Sequence, residues 1–154
     1  MFRRLLVASS LLAALTAPLQ AQIPLLDIRV GGHAAMPNGT FADTYDAGFG
    51  AYGRVGVPLL FFKLMGSATI TRFTAVNPLT EDQNLFTLQA GPHFSPIPLL
   101  DLGVEGAWFS ESEEFGLAPN VSVGFLMLEA TASYYTTFKD PKSSWITIGV
   151  GFRF

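Results

Sequence analysis

The chain has 154 residues, about one domain's worth, and a formal charge of −3, which gives a nucleic acid no basic surface to bind. Charged residues make up only 14% and hydrophobic ones 49%, yet after the N-terminus no apolar run reaches the roughly 18 to 20 residues of a spanning helix. There is no cysteine, which excludes a disulfide framework, a thiolate metal site and a lipoprotein anchor.

Arg3 and Arg4 begin the chain with positive charge, residues 5–15 are apolar except for Ser9 and Ser10, and residues 16–22 are small or polar. This is the layout of a secretory signal peptide cleaved after Ala21. Residues 1–21 are therefore expected to be a leader and residues 22–154 a single exported domain. Without Arg3 and Arg4, seven basic residues face twelve acidic ones.

Residues 23–34 (IPLLDIRVGGHA) put Leu26, Ile28, Val30 and Gly32 on one face, and Asp27, Arg29, Gly31 and His33 on the other. This period of two predicts a strand with one polar side. Residues 35–44, with Pro37, Asn38 and Gly39, predict a loop. Residues 45–57 alternate again: Tyr45, Ala47, Phe49, Ala51, Val55 and Val57 oppose Asp46, Gly48, Gly50, Tyr52 and Arg54. The pattern then restarts. Pro24-Leu25-Leu26-Asp27 recurs as Pro58-Leu59-Leu60-Phe61 and Pro98-Leu99-Leu100-Asp101, with a looser echo at Met127-Leu128-Glu129. Such recurrence marks repeated hairpins. It predicts eight strands, over residues 23–34, 45–57, 60–73, 85–94, 99–109, 117–125, 128–137 and 145–154.

The connections alternate in length. Those entering the odd strands are short, at residues 58–59, 95–98 and 126–127, whereas those leaving them are longer and polar: 35–44, 74–84, 110–116 and 138–144. An even number of strands joined this way suits an all-β, antiparallel, up-and-down transmembrane barrel, since only helices and closed barrels satisfy their backbone in lipid. One parity carries nearly all the aliphatic and aromatic residues. The other carries Asp27, Arg29, Asp46, Arg54, Lys63, Asp101, Glu105, Glu129 and Arg153 among small and polar residues. An eight-stranded barrel is about wide enough inside for side chains to fill it, so these nine are expected to pair across the lumen as a structural network. Tyr45, Trp108 and Tyr134 towards the loops, and Phe62, Phe94, Phe125, Phe152 and Phe154 towards the turns, suit two interfacial girdles.

The last ten residues, WITIGVGFRF, alternate Ile146, Ile148, Val150, Phe152 and Phe154 with Thr147, Gly149, Gly151 and Arg153 and stop on an aromatic carboxylate. By pattern alone such a strand also suits a soluble β-sandwich or a lipocalin-like barrel. It resembles the C-terminal strand of bacterial outer-membrane β-barrels, and with the leader and the eight strands the whole of residues 23–154 resembles the small barrels of the OmpA-transmembrane-domain and OmpX kind. The resemblance implies a Gram-negative cell envelope, with the short turns and both termini at the periplasmic side and the barrel in outer-membrane lipid and lipopolysaccharide. It also implies delivery by periplasmic chaperones to the barrel assembly machinery, which would read Phe152 and Phe154. A monomeric structural or adhesive surface protein is expected, without catalysis or cofactor. The alternatives are a narrow channel for ions or small solutes, a lipid A-modifying barrel enzyme and a soluble barrel holding an apolar ligand.

The residues offer little chemistry. His33 and His93 fall towards opposite ends, and no metal triad, HExxH, GxSxG or phosphate-cradling loop is present. His33 with Ser67 is the one candidate for a catalytic pair. The acidic loop residues Glu81, Asp82, Glu111, Glu113 and Glu114 suit either divalent cations shared with lipopolysaccharide phosphates or simple solvation.

Overall fold

The computed structural model describes residues 26–154; the expected leader and its cleavage site lie outside the described residues. Eight strands follow one another: β1 (Asp27–Asn38), β2 (Tyr45–Pro58), β3 (Lys63–Ala75), β4 (Gln83–Ile97), β5 (Leu100–Phe109), β6 (Glu114–Phe125), β7 (Leu128–Thr137) and β8 (Ser144–Arg153). Each pairs antiparallel with its neighbours in sequence, and β8 closes on β1 through a register that runs from Arg29↔Arg153 to Asn38↔Ser144. The result is a closed, up-and-down, eight-stranded barrel.

Alternation decides which side chains fill it. Along β8, Trp145, Thr147, Gly149 and Gly151 point inward and are buried, while Ile146, Ile148, Val150 and Phe152 are exposed. Polar and small residues therefore line most of the inside, large aromatic ones its loop end, and the aliphatic parity faces out on every strand. A soluble barrel that holds an apolar ligand needs the reverse, and this arrangement rules it out.

Two departures from plain alternation matter. The register between β2 and β3 shifts between Tyr45 and Gly48, because two residues of β2 oppose one of β3 there, as in a β-bulge. Beyond that point the faces exchange. Tyr45 turns in to pack on Phe73 with ring centroids 6.5 Å apart, rather than joining an outer girdle, and Asp46 is exposed, rather than lining the lumen. Secondly, the expected loop at 35–44 is shorter than its Pro37-Asn38-Gly39 signal suggests. β1 continues to Asn38 because β8 pairs with it that far, and a 3-10 turn (Gly39–Asp43) follows, with the Asn38 side chain accepting from the Gly39 amide. Gly39 holds φ +60, which glycine adopts freely.

Candidate functional site in the barrel lumen

The lumen has three layers. At the turn end, β1 contributes Asp27 and Arg29, two residues apart and hence on the same inner face. Arg29 is fully buried, and its planar guanidinium binds Asp27 through both oxygens, Nε to Oδ1 at 2.9 Å and Nη2 to Oδ2 at 2.8 Å. Its remaining donors reach across the barrel to Ser122 at 2.9 Å, Glu129 at 2.5 Å and Asp101. One arginine thus ties β1 to β5, β6 and β7. Lys63 of β3 also donates to Asp27 and, at 3.0 Å, to Asp101. Arg153, opposite Arg29 in the β1–β8 register, lies 3.1 Å from Asp27. One step deeper, Glu105 accepts from Ser67 at 2.7 Å and lies 2.7 Å from His93 Nε2, while His93 Nδ1 is 3.6 Å from Asp101.

Glycine makes room for these long side chains. A Cβ at Gly103 would collide with the His93 ring, and Cβ atoms at Gly31 and Gly151 would each lie 2.6 Å from the Tyr52 hydroxyl. Those two inward glycines let Tyr52 lie flat across β1 and β8 and come within 3.5 Å of Glu129 on β7.

The middle layer is polar but less tightly paired. Arg54 stacks over Tyr52 with its guanidinium carbon 5.0 Å from the ring centroid, and reaches Thr131 at 3.5 Å and Ser133 at 3.4 Å. Among the described residues it makes no ion pair within 4.0 Å. His33 shares a 2.9 Å hydrogen bond with Thr71, and Gln89 donates to Thr69 at 3.0 Å and to Tyr135 at 3.3 Å.

At the loop end the lumen is aromatic. Phe73, Leu85, Phe109, Tyr135 and Trp145 are buried together with Ala35, Ala107 and Ala118, and Phe41 of the 3-10 turn drops onto them beside Tyr45. Tyr135 and Trp145 stack with centroids 5.1 Å apart, and Phe109 meets Trp145 edge-on at 5.2 Å. Offset and edge-on rings gain from their quadrupoles as well as from burial.

Of the nine charged residues expected to pair inside, the structure gathers Asp27, Arg29, Lys63, Asp101, Glu129 and Arg153 into one cluster, with Glu105 joined to it through His93. Arg54 stands apart from that cluster, and Asp46 leaves the lumen altogether, its carboxylate accepting at 2.7 Å from the amide of Ala47. The bulge moves Asp46, and Arg54 meets hydroxyls where it crosses the lumen. His33 and Ser67 have different partners, Thr71 and Glu105, and among the described residues no hydrogen bond joins the two. The aromatic layer was missed, although parity held the signal: Phe73, Leu85, Phe109, Tyr135 and Trp145 all occupy inward positions at the loop ends of their strands.

No known family model matches this sequence, and no curated protein does. Solved structures match it in shape. The crystal structure of Ail, the attachment invasion locus protein of Yersinia pestis, gives a TM-score of 0.55 at 19% identity over 84% of this chain and 97% of Ail. The backbone structure of the Yersinia pestis outer membrane protein Ail in a phospholipid bilayer nanodisc gives 0.57 at 18% identity, over 84% of this chain and 99% of that one. Ail in complex with the heparin analogue sucrose octasulfate gives 0.54 at 19% identity, with coverages of 84% and 97%. The chain therefore has the fold of small eight-stranded outer-membrane β-barrels such as Ail.

Proposed function

We propose that the protein is a monomeric barrel of the bacterial outer membrane, exported by its leader, with a closed lumen and a structural or adhesive rather than catalytic role. The observation that carries this is the pairing of an apolar outside with an inside filled at both ends: Arg29 and Glu105 are fully buried towards the turns, Phe73 towards the loops. Side chains so arranged support a lumen without a continuous water path. The adhesive part draws on Ail, whose name ties it to attachment and invasion.

The loop end is where an outside partner would meet the chain. It carries Asp43, Asp46, Glu81, Asp82, Glu111, Glu113, Glu114 and Asp140 against Arg72, Lys139 and Lys142. That surplus favours a basic partner, or divalent cations shared with lipopolysaccharide, over a sulfated ligand such as the one bound to Ail. Extraction tests the placement. The mature protein is expected in the detergent-soluble outer-membrane fraction and to shift on gels between unheated and heated samples. Recovery from the periplasm without detergent, and no shift, would overturn it.

The assembly machinery is proposed to read Phe152 and Phe154, whose side chains face outward. The Phe154 backbone pairs both ways with Ile28, at 2.8 and 3.2 Å, so strand closure does not depend on the ring. Phe154→Ala is expected to be exported normally and to fold in detergent micelles, yet to reach the cell surface poorly. Normal surface levels would remove the signal role.

A further inference from the structure

The outer surface of the barrel is asymmetric. On the loop side a row of polar outward positions paired in register interrupts the apolar belt, Asn38 with Ser144, Ser144 with Thr136, and Arg72 with Asn84, and the exposed apolar residues beyond them, Val76, Leu79 and Phe138, are scattered singly in loops that also carry charged residues. On the turn side no such row exists. The outward columns run through Leu64, Leu102 and Leu128 directly into connections made of residues 59–62, 98–99 and 126–127, which contain only Leu, Phe, Pro and Met. Leu60 is 90% exposed, Phe61 80% and Leu126 85%.

We propose that these three turns lie within the adjacent lipid leaflet, in contact with acyl chains, and not in water. The proposal rests on the outer-membrane reading above and adds to it where the lower edge of the barrel sits. Depth fits on the β8 side. From Ile146 to Phe154 there are eight rises of about 3.3 Å; at a tilt of about 40° they span about 20 Å of barrel axis, short of the ~25 Å apolar band of such barrels. There the 126–127 turn of the neighbouring β7 extends the apolar surface beyond the strand end.

Part of the turn backbone is satisfied by protein, which lowers the cost of placing it in lipid. Leu59 donates to the carbonyl of Phe62 at 2.8 Å, while the carbonyls of Leu99 and Met127 accept from Gly124 and Arg153 on neighbouring strands, each at 2.8 Å. The nearest hydroxyl, Ser95, turns to Asp101 at 3.4 Å. Residue choice points the same way. Leu126 holds φ +57, where a two-residue hairpin favours Asn, Asp or Gly. A leucine in that conformation, with its side chain fully outside, is understandable if the position has to be apolar.

The natural absence of cysteine makes the test direct. Single-cysteine variants Leu60→Cys, Leu126→Cys, Val104→Cys at mid-barrel and Leu79→Cys in a loop would carry a nitroxide, in phosphatidylcholine vesicles at high lipid-to-protein ratio. Heat-modifiability would first show that each variant folds. Collisions with oxygen, which concentrates in lipid, are compared with collisions with a water-soluble nickel chelate. The oxygen-to-nickel ratio at 60 and 126 is expected to match that at 104 and to exceed that at 79 severalfold. Ratios at 60 and 126 like that at 79, with 104 still lipid-like, would put the turns in water and overturn this inference alone. Protection of 60 and 126 from both reagents would mean that protein, such as a second copy, covers them, and would also overturn it. A nickel-accessible 104 would bring down the membrane-spanning reading and this inference with it.

Discussion

At the turn end of the lumen a fully buried Arg29 holds three carboxylates, whereas at the loop end an equally buried Phe73 lies among rings and alanines. Both arrangements fill the same cross-section, but they fail differently. Buried charges stabilise little when paired, because desolvation offsets the Coulomb gain, and cost a great deal when one partner is removed. Packed rings lose roughly what their area and the cavity left behind are worth. The ionic end should therefore respond to a change of charge, and the aromatic end to a change of volume.

The largest effect expected is from Arg29→Met, which conserves much of the volume but leaves Asp27, Asp101 and Glu129 facing one another. A loss of about 3 to 5 kcal/mol is expected, seen as a lower urea midpoint for protein folded in vesicles. An unchanged midpoint would mean that the two ends do not differ in kind. Trp145→Phe removes part of a stacked ring without exposing a charge, and should cost about 1 to 2 kcal/mol by the same measurement. A loss as large as that of Arg29→Met would break the comparison from the other side. Tyr52→Phe keeps the ring across Gly31 and Gly151 and deletes only the 3.5 Å contact with Glu129; about 0.5 to 1 kcal/mol is expected.

The smallest effect lies beyond the barrel wall, in the connection between β3 and β4. There the Arg72 side chain, 2.9 Å away, and the Ala75 amide hold the Asp82 carboxyl below its ordinary value. A depressed carboxyl contributes stability above its unfolded pKa and loses it as pH falls through the folded one. Acidification below about pH 4 should therefore lower the protection of the Ala75 amide relative to its intrinsic exchange rate at each pH, and leave the protection of the lumen amides of β5 unchanged. Equal loss of protection at both would show that the loop and the barrel open together.

Period two and turn spacing were enough to read eight strands, because a strand whose two faces meet different surroundings must sort its side chains by parity. The residues of the turn-end cluster could be read for the same reason: Asp27, Lys63, Asp101, Glu129 and Arg153 lie near the turn ends of inward columns. Their individual partners could not, since reach across a barrel depends on stagger between strands that are far apart in sequence. Arg54 illustrates this, being on the correct face and yet beyond reach of a carboxylate. Asp46 was misplaced because one extra residue in β2 exchanges the faces beyond Gly48, and no residue type marks that bulge. The closed β1–β8 seam was implied by the even strand count, while the extension of β1 to Asn38 depends on a partner strand more than a hundred residues away.

A lumen shut at both ends is read out by planar-bilayer recording of the purified wild-type protein. We expect an electrically silent bilayer in which gel mobility independently verifies insertion of the folded barrel. Large, steady conductance that scales with the amount of inserted protein would contradict the account.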